Sequence, residues 1–156
     1  MVEGVSLDEG FPKPWSLVPK PLLNIFSFIR HINFMGTIFG FENLAAYQRA
    51  LDLVDKVYDL MKGFPSEEKF ALCDQLRRAV VSVPSNIAEG LGRLSNKEQG
   101  RFIEISYGSL MEVYCQMTIA KRRHYITEEQ FEALAKDVLD IARPLSGLHK
   151  SISVEG

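Results

Sequence analysis

The chain is poor in most of the features that would tie it to a known chemistry. It has two cysteines, Cys73 and Cys115, in no CxxC and no Cys/His cluster. A disulfide framework or a zinc site is therefore without support, and the pattern fits two buried thiols in a reducing compartment. The three histidines, His31, His124 and His149, show no ligand spacing and read as surface or helix-end cations. No serine- or cysteine-hydrolase motif is present. The stretch Gly90-Leu-Gly92-Arg-Leu-Ser95 follows a helical pattern rather than a strand and contains no Gly-Lys-Ser/Thr. It reads as a helix stop and a turn, not as a phosphate loop. No segment alternates strictly between apolar and polar residues, so no half-buried strand is expected. These gaps argue against an enzyme, and no cofactor or metal is expected.

What is present is an ordinary globular composition: 156 residues, 46% apolar and 24% charged. A chain of this size forms one domain and buries roughly 70% of its unfolded surface, so it folds without a metal or disulfide staple. The net charge is −2, and no global basic charge points to nucleic acid. The distribution says more: residues 77–123 carry eight basic and four acidic side chains, whereas the segments on either side have an acidic excess or balance.

Residues 1–40 read as a poorly structured extension. Four prolines, Pro12, Pro14, Pro19 and Pro21, break any helix through position 21. The apolar run 22–35 contains Asn24, Arg30, His31 and Asn33, which does not suit a membrane span, and it lacks the features of a signal peptide. Two explanations stand: a flexible tail, or a true start at Met35 with residues 1–34 untranslated. The protein is expected in the cytoplasm and away from membranes.

Residues 41–153 carry four helical patterns. In residues 43–62, Leu44, Tyr47, Leu51, Val54, Tyr58 and Met61 repeat at 3-4-3-4-3, and Gly63-Phe-Pro65 ends the helix. Ser66 is the expected cap of the second, which runs to about Glu89 and stops at Gly90. Leu72, Leu76, Val80, Val83 and Ile87 form its main stripe; Val81, Pro84 and Ala88 form a second. Pro84 predicts a kink, with Ser82 or Ser85 satisfying freed carbonyls. Ser95-Asn-Lys-Glu98 is a capping box that opens a third helix reaching about His124. It too shows two stripes, Phe102, Ile105, Ser109, Val113, Met117, Ala120 and Ile103, Tyr107, Leu110, Tyr114, Thr118. Gly108 with Ser106 and Ser109 offers a small patch for close helix approach. Thr127-Glu-Glu-Gln130 opens the fourth, whose stripe Phe131, Leu134, Val138, Ile141, Leu145, Leu148, Ile152 stays in register past Pro144. The expected fold is an all-α, up-down-up-down four-helix bundle. A bundle helix needs one apolar face for its own core, so the doubled stripes of helices two and three predict a homo-oligomer whose interface comes mainly from these two helices; the alternative is a monomer in which they sit deeper.

The candidate functional groups are cations. Arg93, Lys97 and Arg101 surround the turn between helices two and three, and Lys121, Arg122 and Arg123 close helix three at the opposite end. Guanidinium groups hold phosphates bidentately and such binding weakens with salt. The competing reading is dipole compensation and solvated surface. Arg77 and Arg78 sit on an apolar helix and read as structural. Glu89 beside Asn86 is a possible general base, weighed against a local pair with Arg93 four residues on.

Gln75-Leu-Arg-Arg-Ala79, then Val81-Ser-Val-Pro-Ser-Asn-Ile-Ala-Glu-Gly90, Gly92-Arg93 and Ser95-Asn-Lys-Glu98 resemble the 23S ribosomal RNA intervening-sequence protein family of four-helix bundle proteins. Phe41-Glu-Asn-Leu44, Phe64-Pro65 and Gly108-Ser-Leu110 with Glu112 match as well, so the resemblance covers about residues 41–152. It implies a four-helix protomer, a ring-shaped homopentamer and no established catalytic activity. It implies that Arg77, Arg78, Pro84, Ser85, Asn86, Glu89 and Gly90 serve structure and assembly. Some members are encoded inside insertions in ribosomal RNA genes, and the related accessory proteins of diversity-generating retroelements bind nucleic acid and a reverse transcriptase. The implied partners are other copies of the chain, ribosomal RNA or another nucleic acid, and a reverse transcriptase in a retroelement context. The chain departs from the family's pattern in having Tyr47 where a Trp is usual, in Pro144 and in its acidic balance. Two functions compete: a nucleic-acid-binding oligomer, and an interaction scaffold without nucleic acid. An enzyme at the Asn86/Glu89/Arg93 corner stands behind both.

Overall fold

The structure, a computed structural model, describes residues 39–154. The expected extension of residues 1–40 and the Met35 start lie outside the described residues, apart from positions 39 and 40. Residues 40–154 belong to one compact unit. Four α-helices make it up: α1 Ala45–Met61, α2 Leu72–Leu91, α3 Asn96–Arg122 and α4 Glu128–Val154. Short 3-10 turns at Gly40–Asn43 and Ser66–Phe70 precede the first two. No strand occurs among the described residues. Each helix lies along two neighbours: α1 on α2 and α4, α3 on α2 and α4.

The core is a single aliphatic cluster to which every helix contributes. On α4 the expected stripe is the buried one: Leu134, Val138, Ile141, Leu145 and Ile152 are buried, with Phe131 and Leu148 packed at its edge. Pro144 does not end this helix, which runs on to Val154.

On α1 the expected stripe holds at Met61 but is otherwise off by one position around the helix. The buried residues are Ala46, Ala50, Leu53, Val57 and Met61. Leu51 and Tyr58 stay exposed, and Leu44, Tyr47 and Val54 are only half buried. Two alanines at the seam let α1 come close to its neighbours, and the larger side chains fall to the flank. The helix therefore has two apolar stripes rather than one.

Ser66 does not cap α2. Residues Ser66–Phe70 form the 3-10 turn, and Ala71, with φ −115° and ψ −103°, interrupts the backbone before the α-helix begins. The cap comes from Glu68, whose carboxylate accepts the Leu72 N–H at 3.2 Å. At the far end the helix passes through Gly90 to Leu91, and Gly92 closes it with its N–H on Ala88 O and Glu89 O. Gly90 has a different task from the expected stop. A Cβ there would lie 3.0 Å from Phe102 Cβ and 3.3 Å from Gln99 O, so its missing side chain sets how closely α2 and α3 approach.

The two stripes expected on α3 interleave. The buried face takes Val113, Met117 and Ala120 from one and Ile103 and Leu110 from the other, adds Ser106, which is in neither, and leaves Ile105, Tyr107 and Tyr114 outside. Ser95 Oγ accepts the Glu98 N–H at 3.2 Å, and Thr127 with Gln130 forms both halves of a capping box on α4. A hydrogen bond from the Thr127 hydroxyl, then one from its own backbone, lowers the Glu129 carboxyl below its ordinary pKa. Between α3 and α4 the chain turns on His124, at φ 59°, with His124 N on Lys121 O and Tyr125 N on Ala120 O. This is a Schellman turn with a histidine where glycine is the unstrained choice. Of the cysteines, Cys73 is buried and Cys115 is exposed, which corrects the expectation of two buried thiols. Burial pushes the Cys73 thiol up, against the pull of the Arg77 guanidinium.

Candidate nucleic-acid interface

The α2–α3 turn is tightly built. Arg93 N donates to Gly90 O at 3.0 Å, and Gln99 Nε2 donates to Arg93 O at 2.8 Å. The Arg93 guanidinium pairs with the Glu89 carboxylate and lies over the Phe102 ring, 4.6 Å from its centre. Its charge is thereby partly spent inside the fold, as the four-residue spacing suggests. Leu94, at the tip, is fully exposed.

Lys97 and Arg101 sit one turn apart on α3 and make no ion pair among the described residues. Both line a groove of about 710 Å³ between the start of α3 and the end of α4. Gly100 forms its floor: a Cβ there would meet the His149 ring at 3.7 Å. His149 Nε2 lies 3.0 Å from Glu104 Oε1 across the groove. The same two residues border an adjoining hollow of about 340 Å³ with apolar walls, Ile103, Tyr107 and Leu145, and Lys150 at its rim. Sequence reasoning missed His149, Lys150 and Glu104. Their place depends on how α3 and α4 register against each other, and no local spacing encodes that. The groove and the adjoining hollow together thus gather Lys97 and Arg101 of α3 and Lys150 of α4, with Glu98 and Glu104 as counter-charges.

The cations at the other end of α3 are mostly consumed. Lys121 Nζ lies 2.5 Å from Glu128 Oε1 and 4.5 Å from the centre of the Phe131 ring. Arg123 Nε donates to Tyr125 Oη at 3.5 Å, and that hydroxyl donates to Glu68 at 2.9 Å. Tyr125 also packs on Phe64, ring centres 5.5 Å apart, which pins the α3–α4 turn to the turn before α2. Arg122 alone of the three is exposed with no partner among the described residues.

The family-motif side chains of α2 are used within the fold. Arg78 pairs with Asp74. Ser85 Oγ donates to Val81 O at 2.8 Å, in the turn that Pro84 disturbs. Ser82 turns instead to Ser109 on α3, hydroxyl to hydroxyl at 2.8 Å, and Asn86 Nδ2 donates to Ser82 O and Oγ. Ser106 Oγ donates to Val83 O at 2.9 Å. The small patch expected around Gly108 therefore divides: Ser106 and Ser109 serve the α2–α3 seam, and Gly108 faces open space. Gln116 Oε1, beside this seam, is buried without a hydrogen-bond partner. No group of three or more metal-binding side chains occurs among the described residues, and no described helix is long and apolar enough to cross a membrane.

A family model described as the 23S rRNA-intervening sequence protein matches residues 42–147. Among solved structures, a protein of unknown function from the S23 ribosomal protein family of Bacteroides thetaiotaomicron is similar in fold, with a TM-score of 0.63 and 24% sequence identity. The match covers 68% of this chain and 99% of that one. No curated protein matches the chain.

Proposed function

The chain belongs to the 23S rRNA-intervening sequence protein family, and from that premise we propose a non-catalytic, self-associating up-down-up-down bundle that binds nucleic acid, RNA first, at its α2–α3 end. The observation that carries this reading is the groove holding Lys97 and Arg101, two exposed cations without ion pairs, one helical turn apart. Phosphates are drawn to such cations by charge alone, and release of condensed counterions drives the binding. Several copies in one assembly, five in a ring by the family resemblance, would present several such grooves and bind by avidity without a high net charge. The setting is the cytoplasm, and in a retroelement context the assembly would also hold a reverse transcriptase.

The test is fluorescence anisotropy of a labelled ribosomal RNA fragment over a salt series. Log affinity should fall linearly with log salt, and Lys97→Ala with Arg101→Ala should flatten the slope by roughly 1.4. A slope unchanged by the double variant, or no salt-dependent binding, overturns the reading. The second reading, an interaction scaffold, has the exposed Leu51, Tyr58, Tyr107, Met111 and Tyr114 in its favour. An intact oligomer that binds no RNA would select it.

A further inference from the structure

Gly108 stands in the middle of α3 with no packing reason for being a glycine. A Cβ there would meet nothing within 4 Å, whereas one at Gly90 would touch Phe102 and one at Gly100 would touch His149. Glycine weakens a helix interior, because it loses more conformational freedom on folding than any other residue. Gly108 borders the hollow of about 340 Å³ between α3 and α4, and its missing side chain leaves the mouth of that hollow open. A space of this size, with apolar walls and a few polar groups, has the usual form of a small-ligand site.

The chemistry of the hollow is mixed in a particular way. Ile103 and Leu145 give apolar wall, and Tyr107, 40% exposed, gives an aromatic face. Glu104, Ser146 and Lys150 bring hydrogen-bond donors and acceptors to the rim. Glu104 and His149, 3.0 Å apart, are shared with the groove that holds Lys97 and Arg101. On α3, Lys97, Arg101, Glu104 and Gly108 follow one another at a 4-3-4 spacing and so lie along one face. The two cations are about 6 Å apart along the axis, and Gly108 is about 10 Å beyond Arg101. Cations and hollow are therefore in line, within reach of two successive nucleotides. Two other hollows each lack half of this combination. The α1/α2 groove of about 330 Å³ contains Tyr47 but no charged side chain. The α1/α4 hollow of about 440 Å³ has no aromatic ring, and its Lys56 is tied to Asp137 at 2.7 Å.

Resting on the nucleic-acid reading above, we propose that the hollow is a base site: RNA lays successive phosphates on Lys97 and Arg101 and turns one unpaired base into the hollow, with its face on Tyr107 and its edge on Glu104, Ser146 and Lys150. A paired base has its faces stacked and its edge occupied, and a duplex is too wide to enter a cleft between two packed helices. The cations alone hold any phosphate backbone; the hollow adds a preference for loops, bulges and ends, whose bases are free to swing out. Stacking on an aromatic ring supplies that preference for any sequence, since every base has a π-face. Two cations one turn apart suit consecutive phosphates, which favours a strand over a free nucleotide.

Fluorescence anisotropy of two labelled RNA hairpins tests this, one with a single bulged adenosine and one fully paired. The full chain should bind the bulged hairpin about tenfold tighter. Tyr107→Ala should abolish that difference, and Tyr107→Phe should keep it. Gly108→Leu puts apolar bulk at the mouth of the hollow, where a Cβ meets nothing, and should abolish it too. Affinity for the paired hairpin, and its salt slope, should stay the same in all three variants. Should Tyr107→Ala lose its helical circular dichroism, Gly108→Leu carries the test, since leucine favours a helix. Equal affinity of the parent chain for the two hairpins, or a preference that survives Gly108→Leu, overturns the base site while the phosphate groove stands. Displacement of the bulged hairpin by micromolar adenosine monophosphate makes the hollow a free-nucleotide site and overturns the RNA assignment. Absence of salt-dependent binding to either hairpin overturns both readings.

Discussion

Two clusters of three cations flank α3, and the structure treats them in opposite ways. At the α3–α4 turn, Lys121 is tied to Glu128 and Phe131, and Arg123 to Tyr125. At the α2–α3 turn, Arg93 is tied to Glu89 and Phe102, but Lys97 and Arg101 open into a groove with nothing to neutralise them directly. The contiguous run Lys121-Arg-Arg123 has the stronger look of a binding motif, yet it is the dispersed trio that leaves charge available. A cation run at a helix C-terminus attracts the helix dipole and the acidic first turn of the next helix, here Glu128. Cations spaced four apart near an N-terminus find the dipole unfavourable, and neither Lys97 nor Arg101 forms an ion pair among the described residues. The turns differ mechanically too. One is held by close packing at Gly90, the other by hydrogen bonds around a strained His124.

The contrast can be broken or sharpened from its largest effect down. Gly90→Val should cost about 3 kcal/mol in denaturant unfolding, because the branched side chain collides with Phe102 and with backbone at Gln99. A loss below about 1 kcal/mol would mean that the α2–α3 approach is not set by Gly90. Lys97→Ala with Arg101→Ala should weaken RNA binding about 30-fold, whereas Lys121→Ala with Arg123→Ala should change it less than about 3-fold. Equal losses would erase the distinction between the two ends. Tyr125→Phe should lower stability by about 1.5 kcal/mol, since its hydroxyl serves the partly buried Glu68 carboxylate. No change on urea unfolding would place that hydroxyl's partner in water. His124→Gly should raise stability by about 0.5 kcal/mol by relieving the positive φ, read as a small rise in thermal midpoint. A fall there would show that the imidazole contributes more than the strain removes.

Much of the fold is legible locally. The Thr127 capping box forms in full and the Ser95 cap forms by its hydroxyl half, both where their spacing places them, and the α4 heptad faces the core, with Phe131 and Leu148 at its edge. The Glu89–Arg93 pair also forms. Failures occur where two apolar faces compete on one helix. On α1 the larger side chains suggest burial of Tyr47, Leu51 and Tyr58, yet Ala46 and Ala50 face the core, because close helix approach gains more from small residues at the seam than from bulk there. The groove was half legible: Lys97 and Arg101 are visible in the sequence, but Glu104, His149 and Lys150 join them only through packing of α3 on α4.

The sequence by itself determined that this chain makes four helices, where two of the four begin, and that it carries more apolar surface than one bundle core consumes. Apolar period and capping are local, fixed within one or two turns, and so can be read from neighbours in the chain. Only the tertiary structure decided which apolar stripe of α1 and α3 is buried, that Gly90 is a packing contact rather than a stop, and which cations remain open. Those outcomes depend on the register and distance between helices far apart in sequence, set by steric fit across the core.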